Sequence, residues 1–168
     1  MNEIKILKVS DDINYEFRVL KFNIRSIVRK IFDNKDLDSD FIDNYVVDKY
    51  VIRNSSFFDN YKFDFKRPYD SDNKKYRIAL YFPEKGYENK FNKVTDDGLT
   101  YFEKNNLNND IEGKYNEYRI LFLREREKKV TKFMGVFFCI NRYYNKEKNT
   151  VIREFEHVDD MIKISRLN

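Results

Sequence analysis

Glu125, Glu127 and Lys129 alternate within the run "EREKK". A metal nuclease places two carboxylates and a lysine in this order on neighbouring strands. That chemistry also needs an upstream Asp close in space. In a chain that is 37% charged, such a run reads first as the solvated tip of a hairpin. Cys139 and His157 are each the single residue of their type. Cys139 lies in the apolar run "MGVFFCI" and reads as a small buried hydrophobe. His157 has no Cys or Ser near it in sequence, so a nucleophilic triad has no support. No glycine-rich phosphate loop, HExxH or nucleophile elbow occurs. The expectation is a protein that is not an enzyme and holds no metal or other cofactor. One further set is of a different kind. In "GYENKFNKVTDDGLTYF", Tyr87 and Tyr101 flank a polar, turn-rich stretch with Asn89, Asp96, Asp97 and Gly98.

The elements that must hold these residues are bounded by composition. A length of 168 residues predicts one domain, 1–168, able to bury a single core. One cysteine excludes an internal disulfide framework and a multi-cysteine zinc site. No apolar run approaches the ~20 residues of a membrane helix. The start, "MNEIKILKVSDDINYEF", is charged where a signal peptide needs an apolar stretch. A cytoplasmic protein with no membrane partner is expected. The 33 Lys and Arg against 29 Asp and Glu give a net charge of +4, which permits nucleic-acid binding without demanding it. The 16 Phe and 13 Tyr without Trp also fit an AT-rich coding bias.

Hydrophobic period changes along the chain. "EIKILKVS" and "INYEFRV" alternate like strands with one buried face. Leu20, Ile24, Ile27, Val28, Ile31 and Phe32 recur at helical spacing, with Lys21, Arg25, Arg29 and Lys30 opposite. Asp38, Ser39 or Asp40 is placed to cap a second helix through Phe41, Ile42, Tyr45, Val46 and Lys49. The β-branched residues of "YVVDKYVI" leave a strand open there. Tyr76–Phe82, Tyr118–Glu125, Thr131–Ile140 and Thr150–Val158 read as strands. They are separated by "PEKG", "REREKK" and "NRYYNKEKN". "FMGVFFCI" is apolar enough for a central strand, and Gly135 within it marks a bulge or bend. "VDDMIKISRL" reads as a short final helix. The sum is an α+β fold, a curved, mostly antiparallel sheet or partly open β-barrel with two or three flanking helices.

Residues 76–157 resemble the SRA family, the modified-cytosine-reading domains of the PUA-like superfold. The resemblance runs through the apolar strand "IAL", the loop Gly86-Tyr87-Glu88-Asn89, and Asp97-Gly98 followed by Thr100-Tyr101. It continues in "KFMGVFFCINRYYNKEKNTVIREFE", where a glycine and an aromatic precede a variable turn and a strand with Arg and an aromatic. It implies a module that takes one base out of the stack and holds it between two tyrosines, here Tyr87 and Tyr101. Stacking of that kind is worth about 1–3 kcal/mol per base. Asp97 belongs to the same implied pocket. The family's loop aspartate falls on Asn89 or Lys90, and Asn both donates and accepts, which alters the preference for a base edge. Phe102-Glu103 stands where the family has Thr-Gly.

The expected partner is double-stranded DNA carrying modified cytosine, in a restriction setting with a nuclease domain or subunit elsewhere. Lys90, Lys93, Lys104, Lys128 and Lys129 would contact its phosphates, giving affinity without sequence information. A B3-like reader of unmodified sequence fits the pattern too. So does a small inhibitor of a defence enzyme, with aromatic side chains as exposed anchors.

Overall fold

Alternating side chains on long β-branched and aromatic runs make the described part of this molecule a β-structure. The computed structural model describes residues 2–9, 11–14, 46–48, 51–53, 61–67, 75–83, 85, 93–107, 115–125, 127–128 and 130–167, and no α-helix occurs among them. The strands are β1 (Asn2–Lys8), β2 (Asp12–Asn14), β3 (Val46–Asp48), β4 (Val51–Arg53), β5 (Tyr61–Asp64) and β6 (Lys75–Tyr81). They continue with β7 (Lys93–Val94), β8 (Thr100–Asn106), β9 (Tyr115–Glu125), β10 (Val130–Asn145), β11 (Thr150–Asp159) and β12 (Met161–Arg166).

The large sheet runs β3-β4-β6-β9-β10-β11-β8-β7, with β2 also on β10, and curls into a half-barrel. Its pairs are antiparallel except β6 with β9. A smaller sheet is ordered β1-β12-β5. The curved, mostly antiparallel sheet expected from the sequence is therefore present. The expected helix over Leu20–Phe32, and the cap and first turns of the second, lie outside the described residues. Val46–Asp48 and Val51–Arg53 form a short antiparallel pair, which is the strand alternative for "YVVDKYVI".

β10 is central, as its composition requires, and it is bent rather than straight. Its register against β9 shifts between Phe133 and Gly135. It shifts again against β11 between Cys139 and Asn141. An extra residue on one strand raises the local twist, and repeated bulges curl a sheet. Gly135 has φ +107°, and a Cβ there would stand 2.6 Å from His157 Nε2 and 2.7 Å from the Asp159 carbonyl oxygen. Only glycine fits.

Two expectations are corrected. The last segment is strand β12, not a helix. Ile162 and Ile164 are buried while Met161 and Lys163 are exposed, and β12 pairs with β1 on one side and β5 on the other. Residues two apart would lie on nearly opposite sides of a helix, so only a strand buries both isoleucines. "NRYYN" is likewise not loop. β10 runs on to Asn145 against β11, and the turn occupies only residues 146–149.

β6 and β9 are buried on both faces. On the inner face of the half-barrel, Ala79, Tyr81, Leu121, Phe137, Cys139, Phe155, Tyr101 and Val94 form one apolar cluster. On the other face, Phe82 stacks on Phe122 at 5.0 Å and Tyr118 meets Phe138 at 4.9 Å. Phe65, just past β5, closes edge-on over Tyr118 at 5.0 Å.

Candidate functional site

Strand pairing fixes which side chains share a face. Across β8, β11 and β10 the directly opposed residues are Glu103, Arg153 and Arg142 in one row, and Phe102, Glu154 and Asn141 in the next. Successive rows point to opposite faces. The Phe102-Glu103 pair, the departure from the SRA pattern, is thus divided. Glu103 enters the half-barrel and Phe102 faces outward.

The inner rows carry a buried charge network. Arg119 of β9 donates from Nε and Nη2 to the two oxygens of Glu103 at 3.1 and 3.2 Å. Its Nη1 donates to Glu117 at 2.8 Å and to the Tyr118 carbonyl at 3.2 Å. Arg153 and Asn105 add donors to Glu103 Oε1 at 3.4 and 2.8 Å. The guanidinium lies 4.9 Å from the Tyr81 ring centre and 5.0 Å from that of Phe155. Arg119 and Glu103 are each 1% exposed.

Burial alone would raise the Glu103 pKa. The charge and hydrogen bonds of Arg119, with Arg153 and Asn105, overcome it and hold the carboxyl below its ordinary value. Burial likewise works against the Arg119 cation, and Glu103 above all reverses this, holding its pKa well above the usual. Both groups stay charged. A carboxylate locked in this way anchors strands β8, β9 and β11 to each other and is poorly suited to moving protons. Burial raises the Cys139 thiol, which matches the buried hydrophobe expected from sequence.

Tyr101 takes a place different from a stacking platform. Its ring is 0% exposed and is enclosed by Tyr81, Phe137 and Phe155 at centroid distances of 6.1, 6.5 and 5.5 Å. Its hydroxyl lies 3.4 Å from Glu103 Oε2. Burial, then the Glu103 charge, pushes its pKa well up. The ring's faces are occupied by protein, so this tyrosine is core.

Asp97 has a turn to hold. Its Oδ1 accepts from the Thr95 hydroxyl at 2.6 Å and from the Leu99 N–H at 3.0 Å. The hydroxyl bond first, then the backbone bond, lowers its pKa. Gly98 follows at φ +73°, and its N–H reaches the Thr95 carbonyl at 2.9 Å. This closes the β7–β8 hairpin and explains the Asp-Gly pair by local geometry. Tyr87, Asn89, Lys90 and Lys129 lie outside the described residues.

The remaining expected phosphate contacts separate. Lys93 and Lys104 stand on the outer face of β7 and β8, Lys93 opposite Phe102 and Lys104 opposite Ile152. Lys128 is at the far end of β10, in the β9–β10 turn, 3.5 Å from Glu125. Glu125 is buried, and Lys85 and Lys132 also approach its carboxylate, at 3.7 and 3.6 Å. Glu127 is exposed in the turn beyond the end of β9. The strand alternation that a Glu-x-Glu-x-Lys metal site needs is therefore broken after Glu125. Among the described residues no group of three or more His, Cys, Asp or Glu is placed to hold a metal ion.

Sequence reasoning missed a groove at the end of the sheet where β8 and the β10–β11 turn meet. It is open, about 320 Å³, and lined by Lys104, Asn105, Asn106, Lys148, Asn149 and Thr150. Asn149 adopts φ +52°. Its amide donates to Asn106 Oδ1 at 2.9 Å, and its carbonyl accepts from the Leu107 N–H at 3.1 Å. Among the described residues the groove is lined by ammonium, amide and hydroxyl groups and by no carboxylate. The sequence signal was present in "KNN" and "KNT", which pairing brings side by side.

No protein-family model matches this chain, and no curated protein matches it. Among solved structures it is similar to the 5-hydroxymethylcytosine-specific restriction enzyme AbaSI, at 15% identity and a TM-score of 0.40. The alignment covers 95% of this chain and 62% of that one, so the chain spans less than two thirds of that enzyme's length.

Proposed function

We propose that this chain is a DNA-binding module, without catalytic chemistry of its own, that recognises modified cytosine in duplex DNA for a restriction system. The observation that carries DNA binding is the groove of Lys104, Lys148 and three asparagines, with no carboxylate among its described lining residues. Ammonium and amide donors without acid are what a phosphodiester backbone needs. Modified cytosine comes from the resemblance to SRA domains and rests on the loop that begins Gly86-Tyr87. Tyr101, enclosed in the core, supports that reading only as the wall on which the β7–β8 hairpin is built. Tyr87 and Asn89 then carry recognition of the base.

A protein-binding inhibitor is the second reading, because Ile140, Tyr143 and Tyr144 are exposed on one strand and would serve as apolar anchors. Fluorescence-anisotropy titration separates the two. Matched duplexes would carry cytosine, 5-methylcytosine, 5-hydroxymethylcytosine or its glucosylated form. Preference for one modified duplex, lost in Tyr87→Ala, is the expected result. Equal binding of all four would leave a backbone binder, and no binding at low salt would overturn the reading.

A further inference from the structure

Where β7, β8 and β11 pair, the large sheet is largely closed on one face and open on the other, and the end of β10 extends the open face. On the inner face Val94, Tyr101, Glu103, Val151, Arg153 and Phe155 are all buried. On the outer face Lys93, Asn141, Tyr143 and Asn145 are exposed, and Phe102, Lys104, Ile152, Glu154 and Glu156 are half-buried. None of those outer residues is buried. This is an exposed sheet surface that interleaves Phe102, Ile152 and Tyr143 with Glu154 and Glu156, with lysines on β7 and β8 and asparagines on β10.

Two rings stand on it. Tyr143 is 52% exposed and lies in the row Lys104, Ile152, Tyr143. Phe102 lies in the next outer row, Lys93, Phe102, Glu154, Asn141. The Tyr143 hydroxyl donates to Glu154 Oε1 at 2.7 Å, so the exposed ring is tethered rather than free to rotate. A ring fixed in advance loses less conformational freedom when something stacks on it. Lys104 and Tyr143 sit two strands apart, about 10 Å between backbones. A ring can stack one base across that span while the lysine grips a neighbouring phosphate.

We infer that this outer face is a stacking platform for single-stranded DNA, with Tyr143 and Phe102 taking bases and Lys93, Lys104 and Lys148 taking phosphates. The inference rests on the DNA-binding reading and adds to it a surface for unpaired nucleotides. Charge selects the occupant. Among the described residues the carboxylates on this face are Glu154, bonded to Tyr143, and Glu156, while the groove at its end is lined by two lysines, three asparagines and Thr150. Rings beside a lysine-bearing edge match a strand with exposed bases. A paired duplex keeps its base faces stacked and offers phosphates and groove edges instead.

The test uses the intact chain with a labelled 12-nucleotide single strand and, separately, the duplex of the same sequence. Tyr143→Ala should weaken single-strand binding about 10-fold and leave duplex binding within about 2-fold, since one stacked base carries roughly that discrimination. Tyr143→Phe, which keeps the ring and loses the tether, should retain most of the affinity. Thermal unfolding of both variants should match the parent, because Tyr143 is on the surface. Duplex binding without single-strand binding, or single-strand binding unchanged by Tyr143→Ala, overturns the platform alone. Absence of any DNA binding by the parent overturns the platform together with the DNA reading. Self-association of the parent that Tyr143→Ala abolishes, with no single-strand binding, makes this face a protein contact instead.

Discussion

At the scale of residues, the Glu103–Arg119 pair shows how a charge becomes structural. Each group alone would be costly in the interior, and each is held charged by the other. Glu103→Gln keeps shape but leaves Arg119 with Glu117 as its remaining carboxylate and Arg153 facing a neutral amide. Breaking one side of a buried pair costs about 3–5 kcal/mol, so the variant should lose roughly 3 kcal/mol in urea unfolding at pH 7. The pH dependence follows from the direction of the shift. Glu103 has a lowered pKa when folded, whereas the unfolded chain binds its proton near the ordinary value of about 4.3. Its contribution is therefore complete above that value and declines as pH falls through the folded pKa. The gap between parent and variant should begin to narrow as pH falls below about 4.3 and close only below the lowered folded pKa. A gap of equal size at pH 7 and pH 3.5 would show that the carboxylate charge is not what stabilises the network.

At the scale of elements, β10 decides the shape. The Gly135 bulge redirects the strand so that its first half meets β9 and its second half meets β11 as an extended hairpin. Gly135→Ala forces a Cβ onto His157 and the Asp159 carbonyl at a φ that alanine resists. Such strain and overpacking together cost about 2–4 kcal/mol. The expected result is a midpoint lower by several degrees, with hydrogen exchange rising first along β10 and β11. An unchanged midpoint would mean the bulge relaxes freely and does not set the curl.

Elements like β9, β10 and β11 were legible because burial on a sheet writes itself as alternation or as an unbroken apolar run. The bulge at Gly135 was legible too, since glycine inside such a run has little other use. β12 was not. "MIKISR" is short, and its strand character comes from β1 and β5, which sequence separates from it by more than ninety residues. The end of β10 was misread for a related reason. "NRYYN" is polar on its outer rows because that face is open, and an open face leaves no hydrophobic signature. Tyr101 shows the limit for sites. A tyrosine alternating with Glu103 reads equally as platform or core, and only the neighbours Tyr81, Phe137 and Phe155 settle it.

At the scale of the whole molecule, two sets of lysines stand at opposite ends of β10, a strand of 16 residues. Its contour is about 50 Å at full extension. At one end Lys85, Lys128 and Lys132 surround Glu125, so part of their charge is answered within the protein. At the other, Lys104 and Lys148 line a groove with no carboxylate among its described lining residues, and Lys93 stands on the adjoining face. A net charge of +4 does not by itself distinguish these ends, but salt dependence does. If three lysines at the groove end neutralise phosphates of a single strand, log K should fall against log salt with a slope near about −2. Lys104→Gln should weaken binding to all sequences alike and make that slope shallower by about 0.7. Lys128→Gln should leave both affinity and slope close to the parent's. The reverse pattern, with Lys128 controlling the slope and Lys104 silent, would move the contact surface to the Glu125 end. The open face of β8 and β11 would then need a different occupant.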